Sequence, residues 1–471
     1  MSNIKFGTDG WRAIIAKDFT VANVSRVAYA TAEWTIKNFN NPSIVIGHDC
    51  RFGGELFVET AVKVFASKGI KVYLAKTFIS TPMISLGVKK LKASVGVVIT
   101  ASHNPPEYNG YKLKGYFGGP LSTEKVEEVE SLIPTEDKIY LNHINIENQI
   151  EKGNIKEVDL EKMYIERVQS SFDLEAIRNS GLNFAYDAMY GAGQNVMKKL
   201  FPQMTFLHCD FNPSFLGQAP EPIDKNLQEF SHLIKERKNI AAGLATDGDA
   251  DRIGLYNSKG EFVDSHHIIL LLLLYLHKYK KMTGKVVVAA STTPRVTKLA
   301  ELWGLDHDTV KVGFKYIASQ MINEDVLIGG EESGGIAIKG HIPERDGIWM
   351  GLVLFEYMAK SGKTLDELVL EVYDLVGEFK YCRDDLHISD ELKNSIVKKC
   401  NQDEFTSFGE YNVESIDKTD GFKFILNDSQ WLMIRPSGTE PVLRCYAESE
   451  TLSGARAILN ACKSTIGINK S

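Results

Sequence analysis

The sequence predicts an α/β protein in which three similar mixed α/β modules precede a smaller α+β domain. Its 471 residues correspond to three or four domains of about 100–200 residues each. Three times along the chain, short apolar strands alternate with helix-like stretches and end in polar or glycine-rich loops. Beyond about residue 376 the pattern changes to consecutive strands followed by one helix. We therefore expect domains at 1–150, 151–256, 257–375 and 376–471.

The first module begins with alternating strand and helix patterns. Apolar runs predict strands at Ser43–Ile46, Lys71–Ala75 and Val95–Thr100, and apolar residues at helical spacing predict a helix over Glu55–Lys68. The stretch Ser131–Gly153 is charged and reads as a loop, which places the first domain boundary near residue 150.

The same pattern predicts the remaining elements. Strands are expected at Phe184–Asp187, Gly243–Thr246, Lys285–Ala290, Val310–Val312, Val326–Ile328, Phe422–Leu426, Trp431–Ile434 and Leu443–Ala447, and a final helix at Gly454–Lys463. In open α/β sheets, ligands collect beyond the carboxyl ends of the strands. Four loops that follow such strands are therefore candidate parts of a functional site.

Composition and charge exclude several classes of protein. A formal net charge of −7 disfavours a general nucleic-acid binder, and six scattered cysteines without a CxxC pattern disfavour a disulfide framework or a structural zinc site. Met1–Gly10 lacks an apolar signal core, and the apolar run Ile268–Leu276 is too short for a membrane span, so a buried helix is expected there. These features predict a cytoplasmic protein that binds neither nucleic acid nor membrane.

Three carboxylates alternate just after one predicted strand, at Asp247, Asp249 and Asp251. In an extended loop alternate side chains share a face, so their oxygens could converge on a hard cation such as Mg²⁺. A solvated acidic turn is the plainer interpretation, but three like charges so close cost energy without a cation. A calcium EF-hand is rejected, because Arg252 and Ser258 stand where glycine and glutamate are required.

Ser102 follows another predicted strand in the segment Thr100–Pro105. A hydroxyl at a strand end can act as a nucleophile or carry a phosphate, although a Ser-His pair such as Ser102-His103 is more often an ordinary turn. We expect Ser102 on a surface loop. Lys112 is a candidate proton donor to a sugar hydroxyl.

The third and fourth loops are suited to a sugar and a phosphate. Residues 329–335 place carboxylate and hydroxyl groups among glycines, which suits sugar hydroxyls, although a flexible polar loop is the plainer interpretation. Residues 435–441 combine a guanidinium, two hydroxyls and a glycine, a set that suits a phosphate monoester, and Arg444 could add a second positive charge.

These four loops, in this order and together with the opening segment Lys5–Arg12, resemble the α-D-phosphohexomutase family over essentially the whole chain. The resemblance implies four domains around a central cleft and a phosphohexose mutase that acts through a phosphoserine. It implies that Ser102, Asp247, Asp249 and Asp251 bind one Mg²⁺ per chain and that a hexose 1,6-bisphosphate activates the enzyme. By the same resemblance the catalytic residues are Ser102, Lys112, Arg12 and His103, and the substrate-binding residues are Glu331, Ser333, Arg435, Ser437, Gly438, Thr439, Arg444, Lys315 and Arg252.

Two departures from the family pattern bear on the substrate. Mannose and glucosamine members usually end the sugar loop in Ser-Gly-His, where this chain has Gly335, and mannose members usually carry Gly-His where this chain has Gly313-Phe314-Lys315. Both departures favour glucose 1-phosphate and glucose 6-phosphate, with mannose phosphates second.

Other functions stay open at this stage. Within the family these are a phosphoglucosamine mutase and a hexose bisphosphate synthase; outside it they are a metal-dependent serine phosphatase and a catalytically silent sugar-phosphate-binding protein. The preferred sugar, the choice between monomer and dimer, the phosphorylation state of Ser102 and the phosphate donor for activation are not determined by the sequence.

Overall fold

The computed structural model describes residues 4–437 and 442–468. The chain forms two compact units, Met1–Gly284 with Gly313–Glu367, and Lys285–Val312 with Leu368–Ser471.

The first part of unit one is a mixed seven-stranded sheet with five helices. Its strands are β1 Trp11–Ile14, β2 Ser43–His48, β3 Lys71–Ala75, β4 Val95–Ile99, β5 Tyr108–Gly115, β6 Gly119–Pro120 and β7 Ile155–Val158. Its helices are α1 Val21–Asn38, α2 Gly54–Ser67, α3 Thr81–Leu91, α4 Thr123–Ser131 and α5 Ile146–Glu151. The order is β1-β5-β4-β2-β3-β7, with β6 beside β5. Strands β4, β2, β3 and β7 run parallel, whereas β5 is antiparallel to both β4 and β1.

The second part of unit one is a five-stranded sheet in the order β12-β11-β10-β8-β9. Its strands are β8 Asn183–Asp187, β9 Thr205–Leu207, β10 Ile240–Thr246, β11 Ile253–Asn257 and β12 Phe262–Val263. Its helices are α6 Leu160–Gln169, α7 Leu174–Arg178, α8 Gln194–Leu200 and α9 Gln228–Arg237. Strand β10 is parallel to β8 and antiparallel to β11, so the Asp247 loop joins two antiparallel strands.

The third stretch of chain contributes to both units. It contains α10 Ser265–Leu274, β13 Lys285–Ala289, α11 Arg295–Leu302, β14 His307–Val310, α12 Phe314–Asn323, β15 Val326–Gly330, β16 Ile336–Ile338, α13 Gly347–Ser361 and α14 Leu365–Val376. In unit one β15 and β16 are antiparallel, and in unit two β13 and β14 are parallel.

Unit two ends in a five-stranded antiparallel sheet. Its elements are β17 Lys380–His387, α15 Asp390–Asn401, β18 Ser407–Phe408, β19 Tyr411–Asn412, β20 Ser415–Asp417, β21 Phe422–Asn427, β22 Gln430–Pro436, β23 Val442–Ser449 and α16 Leu452–Thr465. The order is β17-β23-β22-β21-β20, and α16 packs its buried face on this sheet. This arrangement confirms the predicted α+β C-terminal domain.

Most predicted elements are present, with local differences. Helix α10 is buried along nearly its whole length, which confirms the interpretation of the apolar run, and no helix within 4–437 and 442–468 is long and apolar enough to cross a membrane. The strand expected at Val310–Val312 is wrong in position, because the strand there ends at Val310. The charged stretch Ser131–Gly153 is not entirely a loop: Asn145 caps helix α5 by accepting a hydrogen bond from the backbone N–H of Asn148 at 2.8 Å. The domain boundaries stay predictions.

Candidate active site

Ser102 lies in the connection between β4 and β5, and its hydroxyl is buried rather than on the surface. The residue is 1% exposed and has a left-handed backbone with φ of +53°. Non-glycine residues adopt this conformation only where the surroundings hold it. Here the Arg51 guanidinium donates hydrogen bonds at 2.6–3.0 Å to the loop carbonyls of Ser102, Asn104, Pro105 and Tyr108. These hydrogen bonds from Arg51 therefore hold the Ser102 loop in one conformation.

The carboxylates of Asp247, Asp249 and Asp251 converge as predicted, although by a different backbone. One oxygen from each lies within 4.8 Å of the others, and all three side chains are fully buried. The loop is a turn rather than an extended segment, because the N–H of Ala250 donates to the carbonyl of Asp247 at 3.0 Å and Ala250 has φ of +56°. A turn brings alternate side chains together just as an extended strand would.

Both oxygens of Asp247, but only one oxygen each of Asp249 and Asp251, accept hydrogen bonds from described residues. Asp247 Oδ1 accepts the backbone N–H groups of residues 251 and 252 at 2.9 and 3.0 Å, and its Oδ2 accepts the Ser102 hydroxyl at 2.7 Å. Oδ2 of Asp249 and Oδ2 of Asp251 each accept a hydrogen bond from Lys112. Within the described residues Oδ1 of Asp249 and Oδ1 of Asp251 are buried without a hydrogen-bond partner.

These unpaired oxygens fit a hard divalent cation. Burial, together with the neighbouring carboxylates of Asp249 and Asp251, raises the pKa of Asp247 well above its usual value. This raised pKa reflects the three carboxylates that lie close together in the interior. All of the atoms that could bind a metal here are oxygens, the ligands that Mg²⁺ prefers. The residues present therefore suit a magnesium ion at this position.

Gly248 lets the loop that carries Asp247, Asp249 and Asp251 (the aspartate loop) approach the loop that carries Ser102 (the serine loop). A Cβ atom at this position would lie 2.5 Å from the Ser102 carbonyl oxygen, closer than real Cβ contacts. The absence of a side chain at residue 248 is thus a condition for the contact between Ser102 and Asp247.

Lys112 lies on β5 and is completely buried. Its ammonium group is 2.8 Å from Asp249, 3.1 Å from Asp251 and 2.9 Å from Asp9. Burial alone would lower its pKa, but Asp249, Asp251 and Asp9 together raise the pKa of Lys112 above its ordinary value. Lys112 therefore carries a proton and is suited to donate a hydrogen bond rather than to act as a base.

Two residues beside this lysine were missed by sequence reasoning. Arg345 lies just before α13, and its guanidinium bonds Asp251 Oδ2 at 2.6 Å and also contacts Asp9. Burial opposes its charge, but Asp251 and Asp9 raise the pKa of Arg345 well above its ordinary value. Asp9 belongs to the opening segment that carries the family resemblance, so its presence there was a usable signal. Arg345 stands in no pattern that would single it out.

The sugar loop lies beside the aspartate loop. Ile253 N–H donates to the Gly334 carbonyl at 3.1 Å, and Arg252 forms a β-bridge with Gly335. Glu331 accepts the N–H of Gly313 at 2.8 Å, and burial raises the pKa of Glu331 although Arg345 and Arg252 oppose this. The structure thus brings the loop of Asp247, Asp249 and Asp251 next to the loop of residues 329–335.

Gly335, one of the departures from the family pattern, is explained by packing. A Cβ atom there would lie 2.4 Å from Cδ of Arg345. The space that a side chain at 335 would occupy is filled by the arginine that binds Asp251.

Three further predicted residues lie around Ser102. Nδ1 of His103 is 3.4 Å from Ser102 Oγ, and burial, followed by the charges of Arg252 and Arg12, lowers the pKa of His103 well below its usual value. Arg12, on β1, donates to the side-chain oxygen of Asn104 at 2.7 Å. Arg252 lies 3.6 Å from Glu221.

Two of the predicted substrate-binding residues are less buried. Ser333 is partly exposed in its loop, and Lys315 is partly exposed in the first turn of α12, 5.3 Å from the ring centre of Tyr316. Neither is brought to Ser102 by a described hydrogen bond.

The predicted phosphate loop belongs to unit two. Arg435 on β22 and Arg444 on β23 are directly opposite in the sheet, and like charges in that position repel unless an anion or carboxylate lies between them. Arg435 bonds Asp420 at 2.9 Å, and Arg444 is 3.9 Å from Asp385. The N–H of Ser437 donates to the Val442 carbonyl, whereas Gly438 and Thr439 lie outside the described residues.

Comparisons with known proteins agree with this arrangement. Four stretches match the phosphoglucomutase/phosphomannomutase family: its α/β/α domain I over residues 3–140, domain II over 162–260, domain III over 264–376 and its C-terminal domain over 392–461. A phosphoglucomutase/phosphomannomutase of Thermococcus kodakarensis is 30% identical over 459 residues, 96% of both chains. A phosphoglucosamine/phosphogalactosamine mutase of Sulfurisphaera tokodaii is 29% identical over 467 residues, 98% of both chains.

A solved structure extends the likeness to three dimensions. The crystal structure of a Thermus thermophilus protein described as a phosphomannomutase shares 32% identity, covers 99% of both chains and superposes with a TM-score of 0.87. The matches include all three α/β/α domains and the C-terminal domain. The chain therefore belongs to the phosphoglucomutase/phosphomannomutase family and is a mutase of sugar phosphates.

Proposed function

We propose that the protein interconverts glucose 1-phosphate and glucose 6-phosphate through a phosphorylated Ser102, and that it converts mannose phosphates more slowly. One observation carries this proposal: the Ser102 hydroxyl lies 2.7 Å from Asp247 at the edge of a buried carboxylate cluster. A serine so placed can receive and return a phosphoryl group beside a cation.

The metal assignment rests on the two unpaired carboxylate oxygens. Ser102, Asp247, Asp249 and Asp251 would hold one Mg²⁺. When bound, the ion neutralises charge on the transferring phosphoryl group.

The transfer step breaks one P–O bond, forms another and transfers one proton. The bond between phosphorus and Ser102 Oγ breaks as a bond from phosphorus to the sugar hydroxyl oxygen forms, and the hydroxyl proton ends on Ser102 Oγ. His103, with its ring nitrogen 3.4 Å from Ser102 Oγ, is placed to carry that proton. The ammonium of Lys112 and the guanidinium of Arg12 donate hydrogen bonds to the oxygens of the transferring phosphoryl group and so stabilise the negative charge on them. The product is a bound hexose 1,6-bisphosphate, which returns its other phosphate to Ser102; the same compound supplied from outside would activate the enzyme.

Substrate recognition is divided among short loops. In unit one Glu331 and Ser333 would bind sugar hydroxyls, because carboxylate and hydroxyl groups can match donors and acceptors on the ring. Positive charge for phosphate comes from Arg252 and Lys315. In unit two the proposed phosphate-binding residues are Arg435, Ser437, Gly438, Thr439 and Arg444.

The preference for glucose depends on a small energy. Glucose and mannose differ in the direction of the C2 hydroxyl, and one neutral hydrogen bond contributes about 0.5–1.5 kcal/mol, roughly a tenfold effect. Steady-state kcat/KM for the 1-phosphates of glucose, mannose and glucosamine, with glucose 1,6-bisphosphate supplied, tests this ranking. A highest value for glucosamine 1-phosphate would make the protein a phosphoglucosamine mutase, the activity that the name of the Sulfurisphaera relative carries.

The same samples test the chemistry. Incubation with glucose 1,6-bisphosphate should raise the intact mass of the protein by one phosphoryl group and leave Ser102→Ala unchanged. Release of inorganic phosphate as fast as isomer formation would indicate a metal-dependent serine phosphatase instead, and efficient synthesis of bisphosphate from another phosphate donor would indicate a bisphosphate synthase. We further propose a cytoplasmic enzyme that is a monomer or a dimer.

A further inference from the structure

Thr81 is the first residue of α3 and contacts the middle aspartate of the cluster twice. Its hydroxyl donates a hydrogen bond to Oδ2 of Asp249, and its backbone N–H donates to the carbonyl oxygen of Asp249 at 3.0 Å. Thr81 is completely buried. The two residues are 168 positions apart in the chain, so this is a tertiary contact between α3 and the aspartate loop.

The start of the helix leaves Thr81 free to make this contact. The first N–H groups of an α-helix have no partner inside the helix. The side chain of Ser80 caps the helix by accepting from the N–H of Met83, and the N–H of Thr81 points instead to Asp249. The positive end of the helix dipole also faces the Asp249 carboxylate, which favours its charged form.

The contact determines which oxygen of Asp249 is available. Oδ2 accepts both the Thr81 hydroxyl and the Lys112 ammonium, whereas Oδ1 is buried without a partner among the described residues. Two donors on one oxygen fix the rotation of the carboxylate about its terminal bond. Without the Thr81 hydroxyl, Lys112 would be the one side-chain donor to Asp249 among the described residues, and the carboxylate could turn and offer Oδ1 to the lysine as well.

We propose that Thr81 is a positioning residue of the metal centre: its hydroxyl holds Oδ2 of Asp249 so that Oδ1 stays directed at the cation. The inference rests on the proposed function, since it requires a divalent ion at the Asp247, Asp249 and Asp251 cluster. Groups that orient a metal ligand through a hydrogen bond typically change metal affinity by about 10- to 100-fold when removed. Thr81 would act on the ion only through Asp249.

The chain offers closely matched variants. Thr81→Val keeps the shape of the side chain but removes the hydroxyl, and Thr81→Ser keeps the hydroxyl. Thr35 is a control of the same type, because it is completely buried on α1 and its hydroxyl bonds the Thr31 carbonyl at 2.7 Å. Thr35→Val therefore removes a buried hydroxyl away from the aspartate cluster. Thr81→Ala repeats the test if Thr81→Val does not fold.

The measurement is the dissociation constant of Mn²⁺ by electron paramagnetic resonance and of Mg²⁺ by titration calorimetry, on the full chain. Thr81→Val should raise both constants about 10- to 100-fold, Thr81→Ser and Thr35→Val should leave them within about twofold, and kcat of Thr81→Val should recover at saturating Mg²⁺. Unchanged metal affinity in Thr81→Val, or an equal loss in Thr35→Val or Thr81→Ser, would overturn the inference.

Asp249→Asn separates this inference from the proposed function. If Asp249→Asn loses the metal but Thr81→Val does not, only the role of Thr81 is wrong. If Asp249→Asn binds metal as the natural chain does, the cluster is not the metal centre and the proposed function fails with it.

Discussion

The hydroxyl of Ser102 donates a hydrogen bond to Oδ2 of Asp247 across 2.7 Å, joining two loops that are 145 residues apart in the chain. Both groups are buried. Ser102 lies between the antiparallel strands β4 and β5, and Asp247 lies between the antiparallel strands β10 and β11. The contact gives the strongest single reason to treat the serine as the group that carries phosphate.

Ser102→Ala should abolish mutase turnover, by roughly 10³-fold or more, because it removes the hydroxyl that receives and returns the phosphoryl group. The free energy of unfolding should fall by about 1 kcal/mol, since one buried hydrogen bond is lost. Coupled assays of isomer formation and urea unfolding measure the two effects. Ser131→Ala, at an exposed position on α4, serves as the control. Near-normal turnover in Ser102→Ala would refute the phosphoserine.

Removal of divalent cations should stop turnover reversibly. Asp249→Asn should weaken Mg²⁺ binding about 100-fold or more, because it replaces a charged oxygen ligand and disturbs the hydrogen bond to Lys112. Turnover before and after chelation, and after Mg²⁺ is restored, measures this. Full activity in excess chelator would show that the reaction needs no metal.

Gly248→Ala should impair catalysis more than stability. The new methyl group would lie 2.5 Å from the Ser102 carbonyl oxygen, so the aspartate loop must move away from the serine loop. A misplacement of about 1 Å at a reacting group can cost about 10²-fold in rate. The control is Gly69→Ala, where the added methyl group meets no atom within 4 Å; its φ of +73° is strained for alanine, so this variant should lose stability without losing kcat. Equal kcat in the two variants would mean that the loops tolerate separation.

Gly335→Ala should act through Arg345. The methyl group would lie 2.4 Å from Cδ of Arg345 and push its guanidinium from Asp251, so kcat/KM for glucose 1-phosphate should fall. Arg345→Ala removes the same contact. The double variant should then be no worse than Arg345→Ala alone. Strictly additive losses would show that Gly335 acts independently of Arg345.

The contribution of Lys423 to the free energy of unfolding should depend on pH. Its ammonium is buried against the carbonyls of Ala290 and Thr292, and burial lowers the pKa of Lys423 from 10.5 to about 8. The folded state therefore releases this proton at lower pH than the unfolded state. The stability that this group contributes is lowest below pH 8 and rises between pH 8 and 10.5.

The rise should reach about 3 kcal/mol, since each pKa unit corresponds to about 1.4 kcal/mol. The free energy of unfolding of the natural chain minus that of Lys423→Met, measured in urea at several pH values, should increase over this range. Lys398→Met, at an exposed position on α15, should show no such trend. A flat difference for Lys423→Met would contradict the assignment.

The sequence by itself determined the α/β class, the α+β end of the chain, the four loops and the aspartate cluster. Those features are local: strands are marked by apolar runs, and Asp247, Asp249 and Asp251 are close in the chain, so any tight turn brings them together. The helix over residues 54–67 and the strand over 71–75 follow for the same reason.

Only the tertiary structure decided what surrounds that cluster. Thr81 and Arg345 reach it from other elements, and nothing in their neighbours along the chain marks them, because a hydrogen bond depends on distance in space rather than in sequence. The burial of Ser102 and Lys112 was hidden likewise, since polar residues are assigned to the surface until packing shows that charged partners accompany them inside.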